Sequence, residues 1–174
     1  MLQHQTSFAN FSKLRETHFV VTIIQAETVE QIDEARRLFR EYEAWFGLSL
    51  CFQGFDEEVA SLPWKYVKPD GRLLLAYSYN KLAGCIAMRK LEDGICEMKR
   101  LYVRDGFRGQ KIGVQLIEKL IDEARKENYK TMRLDTFPPK MGKAVGLYEA
   151  HGFKPISPYY HNPYDDVLFM ELTL

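Results

Sequence analysis

The chain has little of what marks the specialised protein classes. Its charge favours neither sign, with 24 Lys and Arg against 24 Asp and Glu in 174 residues, a formal net charge of zero. A general nucleic-acid or anionic-membrane surface carries a large positive excess, so neither partner is expected. Cysteine is scarce: Cys51, Cys85 and Cys96 are an odd number, without Cys-x-x-Cys spacing and without a nearby histidine pair. That argues against a disulfide framework and against a zinc site, and no metal is expected. No apolar run approaches the roughly 18 to 20 residues of a membrane span, and Met1 to Lys13 lacks the apolar core of a signal peptide. The expected location is the cytoplasm. Repeats of fixed period and low-complexity tracts are missing too, so the architecture must be read from alternating element types.

What is present suits one domain, since a chain that is 46% hydrophobic and 28% charged can bury a single full core. Residues 1–17 are polar and weakly patterned and read as an N-terminal extension; residues 18–174 read as the domain. His18 to Gln25 has the β-branched character of a strand. Thr28 then caps a helix from Val29 to Trp45, in which Ile32, Ala35, Leu38, Phe39 and Tyr42 recur at helical spacing and Gly47 marks the end. Asp56-Glu57-Glu58 stands as the acidic entry to a short helix, Val59 to Leu62, stopped by Pro63. Three strands follow, Arg72 to Tyr79, Leu82 to Lys90 and Ile95 to Val103, joined by hairpin-length turns. A helix from Val114 to Glu127, a strand from Thr131 to Thr136, a helix from Lys140 to Ala150 and a last strand from Asp166 to Leu174 complete an α/β pattern. The simplest solution is a twisted mixed β-sheet flanked by helices on both faces.

The most informative stretch is Arg104-Asp105-Gly106-Phe107-Arg108-Gly109-Gln110-Lys111-Ile112-Gly113, a glycine-rich turn between a strand and a helix. Such a turn aims free backbone N–H groups and the positive end of the helix dipole at one point, which suits a phosphate. It lacks the Gly-Lys-Ser/Thr of a Walker loop and the Gly-x-Gly-x-x-Gly of a dinucleotide turn. A second stretch, Ala144-Val145-Gly146-Leu147-Tyr148-Glu149-Ala150-His151-Gly152-Phe153, follows the Thr131 to Thr136 strand. The two stretches, in this order, resemble the acyl-CoA motif pair of the GCN5-related N-acetyltransferase (GNAT) family, over roughly residues 19–174.

The resemblance implies the acyl-CoA N-acyltransferase (GNAT) fold, acetyl-CoA as cosubstrate and a primary amine as acceptor. Backbone N–H groups of Gly109, Gln110, Lys111, Ile112 and Gly113 would hold the pyrophosphate, with Arg108 opening the motif. Arg108 and Gly113 match the family pattern, while Lys111 stands where the first motif glycine is usual. Leu101, Tyr102 and Val103 match the end of the family's fourth strand, whose main chain pairs with the pantetheine arm in a small case of β-augmentation. Met141 replaces a common asparagine on that arm.

Direct transfer needs a deprotonated amine, a polarised thioester carbonyl and a proton for the departing thiolate. Tyr148 matches the family tyrosine that serves as general acid, and packing of its ring against the sheet is the plainer alternative. Glu97 matches a position where some members carry a base. Strand alternation places it on the face of Leu101 and Val103. Asp135 and a water chain are the other candidates for the base. The acceptor cleft is expected between Tyr42 to Phe55 and Ile156 to Asp166, whose aromatics and acids suit a cationic amine but serve equally as core and loop anchors. Acceptor identity is left open, as is the choice between monomer and homodimer. A non-catalytic acyl-CoA-binding or interaction module of the same fold is the alternative function, resting on Lys111 and Met141.

Overall fold

The computed structural model describes residues 20–174, so the expected extension over residues 1–17 lies outside the described residues. Local sequence sets each element. The first strand, β1, runs Val21–Gln25, and the first helix, α1, runs Val29–Phe46. Thr28 opens α1 with a capping box: its Oγ1 accepts from the Gln31 N–H at 3.3 Å while Gln31 Oε1 accepts from the Thr28 N–H at 3.1 Å. Gly47, at φ 72, closes the helix in the left-handed conformation that glycine adopts without a steric cost.

Helix α2 spans Phe55–Ala60, starting four residues earlier than the acidic-entry reading placed it. Asp56, Glu57 and Glu58 thus form its first turn, and Glu58 turns inward. Strands β2 (Arg72–Ser78), β3 (Lys81–Glu92) and β4 (Ile95–Val103) make the expected meander. Helix α3 (Ile112–Lys126), strand β5 (Thr131–Thr136), helix α4 (Pro138–Ala150), a short strand β6 (Lys154–Ile156) that the pattern did not reveal, and β7 (Leu168–Thr173) follow. The seven strands order as β1-β2-β3-β4-β5-β7-β6, with β4 and β5 the parallel pair and the rest antiparallel. No helix among the described residues is long and apolar enough to cross a membrane.

Period-two alternation sends β2 side chains into two cores. Leu74 and Ala76 join the buried stripe of α3, Ile112, Leu116, Ile117, Leu120, Ile121 and Ala124, on one face. Leu73 and Leu75 join Leu38, Phe39, Phe55 and Val59 from α1 and α2 on the other. At roughly 1.5–3 kcal/mol for each large apolar side chain fully buried, the two cores clamp the sheet from both sides.

Two irregularities in β4 create the site. First, β4 pairs with β5 only from Ile95 to Glu97, opposite Thr131 to Arg133, and beyond that the strands part into a wedge. Second, Cys85 of β3 pairs with Tyr102 and Ala87 with Lys99, so Ile86 alone faces both Arg100 and Leu101. This is a β-bulge, with Arg100 at φ 59. The extra residue changes parity along the strand. Cys96, Met98, Leu101 and Val103 pack on the α3 face, whereas Tyr102 joins the α1 and α2 core. The simple alternation that put Glu97 on the face of Leu101 and Val103 is therefore corrected: Glu97 faces the other way, with Lys99 and Tyr102.

Candidate active site

The wedge between β4 and β5 opens into a cleft lined by Met98 to Leu101 of β4, Leu134 to Thr136 of β5, Tyr42 of α1 and Tyr148 of α4. The glycine turn lies outside this lining, with Gly113 against Val103 of β4 and Leu147 of α4. A 3-10 turn, Asp105–Phe107, follows β4, and α3 then begins at Ile112 without a side-chain cap. Its first-turn N–H groups are left for another acceptor, as an anion-binding helix start requires. Gly109, at φ +83, makes the turn possible. The Gln110 side chain is used structurally, its Oε1 accepting from Ser78 Oγ at 2.8 Å and tying the turn to the end of β2. Arg108 donates from Nε to the Val103 carbonyl at 3.2 Å, pairs with Asp105 at 2.8 Å, and lies 5.3 Å over the Trp45 ring.

Lys111 occupies the N-cap of α3 with φ 57 and ψ 19, the left-handed region. That explains why glycine is the usual residue there, and why a lysine is tolerated rather than favoured: the side chain costs local strain but points to solvent. Lys111 is exposed and takes part in no ion pair among the described residues. Lys111→Gly is accordingly expected to stabilise the fold by up to about 1 kcal/mol, the left-handed penalty less the extra chain entropy of glycine. A urea-denaturation midpoint measures it, and a lower midpoint would contradict this account of the turn.

On the far side of the wedge, α4 delivers Tyr148, which lines the cleft and is 6% exposed. Its ring meets Phe153 edge-on at 5.8 Å. The hydroxyl makes no hydrogen bond among the described residues, yet no buried polar side-chain atom there lacks a partner, so the oxygen opens to the cleft. Burial, and then the nearby Tyr42 and Asp135, push its pKa well up, so the phenol keeps its proton at neutral pH. Met141 also lines the cleft, at a non-helical kink in α4 (φ −115, ψ 25), and its sulfur accepts from Thr136 Oγ1 at 3.5 Å.

The floor is built from buried ions. Arg100 grips Glu58 of α2 with both carboxylate oxygens engaged, Nε to Oε1 at 2.9 Å and Nη2 to Oε2 at 2.6 Å, and donates from Nη1 to Gln53 Oε1 at 3.0 Å. Tyr66 donates to the same Glu58 at 2.7 Å. Burial raises the Glu58 pKa, but the Arg100 fork and Tyr66 outweigh it and hold the carboxyl below its ordinary range. Lys99 donates to Asp135 Oδ1 at 3.0 Å. Gln53 reaches Asp135 Oδ2 at 3.4 Å and the Tyr160 hydroxyl at 3.1 Å. Asp135 behaves like Glu58: burial raises its pKa, Lys99 and Tyr160 more than offset that, and it stays ionised.

Of the residues singled out from the sequence, Leu101, Asp135, Met141 and Tyr148 meet at the cleft, and the glycine turn lies outside its lining. Tyr102 packs instead against Tyr42 and Trp45, and Val103 against α3. Glu97 does not line the cleft. It is 1% exposed, accepting from Arg89 Nε at 2.7 Å and Tyr159 at 2.9 Å, with Lys99 Nζ at 3.6 Å between it and Asp135. Lys99, Arg100, Glu58 and Gln53 were missed. Their one sequence signal is the adjacent pair Lys99-Arg100 in a strand whose other residues, Glu97 apart, are apolar, where regular alternation would turn one cation into a core.

Known proteins share the sequence pattern and the fold. The sequence matches the Acetyltransferase (GNAT) family over residues 30–153. An uncharacterized N-acetyltransferase of Schizosaccharomyces pombe is 40% identical across 88% of this chain and 95% of its own length. One from Dictyostelium discoideum is 34% identical across 89% of this chain and 99% of its own. Among solved structures, an acetyltransferase from Streptococcus agalactiae superposes with a TM-score of 0.73 at 21% identity, covering 88% of this chain and 98% of that one. The PaiA N-acetyltransferase from Thermoplasma acidophilum, solved in complex with coenzyme A, does so at 0.68 and 17% identity, covering 89% and 99%. With the splayed parallel strands, the uncapped glycine turn and these relatives in agreement, the chain belongs to the GNAT acetyltransferase family, and it is an N-acetyltransferase.

Proposed function

We propose that this N-acetyltransferase moves the acetyl group of acetyl-CoA directly to a primary amine held in the β4–β5 cleft. The observation that carries the reading is an open phenol in a wedge between parted parallel strands, with an uncapped, glycine-bent helix start packed against the end of β4 at Val103 and against α4 at Leu147. The cosubstrate supplies an activated acyl group as a thioester. The N–H groups of Gly109 to Gly113 hold its pyrophosphate, and the free edge of β4 from Leu101 to Val103 holds its arm. Support for this fit comes from the chain itself: no side chain caps the helix start, and β5 leaves that edge of β4 unpaired.

Asp135 holds the incoming ammonium, which gives one proton to water before attack. The amine nitrogen then bonds to the acyl carbon as the carbon–sulfur bond breaks. Tyr148 donates its proton to the departing sulfur and recovers the one that the new amide nitrogen loses. The sum is ammonium plus acetyl-CoA giving acetamide, free thiol and one proton. Glu97 stands behind Lys99, so in this arrangement it positions Lys99 and serves as base only through intervening water. The account predicts saturable binding of CoA by calorimetry, with Gly109→Val weakening it far more than Gln110→Ala, because backbone approach carries the contact. Absence of CoA binding by the folded protein would overturn it.

A further inference from the structure

The acceptor end of the cleft holds an unusual charge arrangement. Three ionised side chains line it, the cations Lys99 and Arg100 and the carboxylate Asp135. Behind them stand Glu58, paired with Arg100, and Glu97, paired with Arg89 and near Lys99. The six groups balance in charge, yet the face toward the cleft carries a net positive charge. Buried ion pairs contribute little to stability against apolar replacements of equal volume, so a floor of this kind invites a role in recognition.

A simple alkylamine, a polyamine or a lysine side chain brings only positive charge to this floor. Asp135 would welcome it, and two cations close by would oppose it. An acceptor that carries its own carboxylate beside its amine meets no such conflict. Lys99 Nζ and Asp135 Oδ1 lie 3.0 Å apart, a spacing like that between the amine and the carboxylate oxygens borne on one α-carbon. Lys99 and Arg100 both retain N–H donors beyond their present contacts. Aromatic side chains, Tyr42, Phe46, Phe52 and Tyr164, wall the space above the ions.

Resting on the acetyl-transfer reading above, we propose that the acceptor is a free α-amino acid with an apolar or aromatic side chain. Its ammonium lies at Asp135, its carboxylate at Lys99 and Arg100, and its side chain against the aromatic wall. The product is the N-acetyl amino acid, formed with one free CoA thiol and one released proton. A peptide N-terminus, which lacks the adjacent carboxylate, is a poor acceptor by the same argument.

The test uses the wild-type chain and compares thiol release from acetyl-CoA with L-phenylalanine, L-phenylalaninamide and phenethylamine, and with the corresponding leucine series. Sites built for a polar group reject analogues lacking it strongly, so kcat/KM is expected to be at least ~100-fold higher for the amino acids than for either neutralised or decarboxylated form. Lys99→Met should erase most of that preference while CoA affinity holds. Equal rates across each series, or preference for the amides or the amines, would overturn the amino-acid assignment and leave acetyl transfer standing. CoA binding with no thiol release for any amine would instead remove the acetyl-transfer reading and this inference with it.

Discussion

Tyr148→Phe is expected to lower kcat by ~10²- to 10⁴-fold with CoA affinity nearly unchanged, the usual contribution of a positioned general acid. The substitution keeps the ring, its edge contact with Phe153 and its place under the cleft, and removes only the hydroxyl that opens there. Burial, Tyr42 and Asp135 all hold that hydroxyl protonated. The phenol can therefore supply a proton across the neutral range. If leaving-group protonation limits the rate, the loss falls on kcat rather than on KM. Single-turnover chemistry rates, wild type against variant, measure it. An unchanged chemical step would return Tyr148 to a packing role.

The second large effect concerns the ion pair beneath the cleft. Glu58→Ala leaves Arg100, whose side chain is 3% exposed, without the carboxylate that both Nε and Nη2 grip. Stripping one partner from a buried pair typically costs about 3–5 kcal/mol, whereas replacing both by apolar groups is often neutral. For a chain of this size, that corresponds to a drop of roughly 10 °C in melting temperature. The double variant Glu58→Leu/Arg100→Met should recover part of it, since the buried Tyr66 hydroxyl still loses its acceptor.

The pH dependence has a definite sign. The folded pKa of Glu58 is depressed, so its contribution is present above the unfolded value of about 4.3 and is lost as pH falls through the lower folded value. Acid should thus narrow the gap between wild type and the double variant. Equal melting temperatures for Glu58→Ala and wild type at neutral pH would contradict the role given to this pair.

Regular periodicity made most of the fold legible. The helix start at Thr28 and its end at Gly47, the three strands of the meander and the strand Thr131 to Thr136 each follow from local residue order, and the structure keeps them to within two residues. The glycine turn and Tyr148 were visible because motif order survives without tertiary knowledge. The floor was not. One extra residue at Arg100 reverses which side of β4 each later side chain faces, and a bulge depends on pairing with β3 rather than on β4 alone. Glu58 was hidden for a related reason: read as part of the acidic entry before α2, it sits inside that helix and finds its partner 42 residues away. Lys111 shows the converse, a departure from the expected glycine whose left-handed backbone still builds the turn.

The most direct measurement is a single turnover of enzyme with acetyl-CoA labelled in the acetyl group and an excess of L-phenylalanine, quenched and resolved by mass. Direct transfer in the β4–β5 cleft predicts that label appears on the amine nitrogen at the rate of thiol release, one for one, with no labelled protein at any time. Label accumulating on the protein before the amine, or thiol released without an acetylated amine, would contradict it.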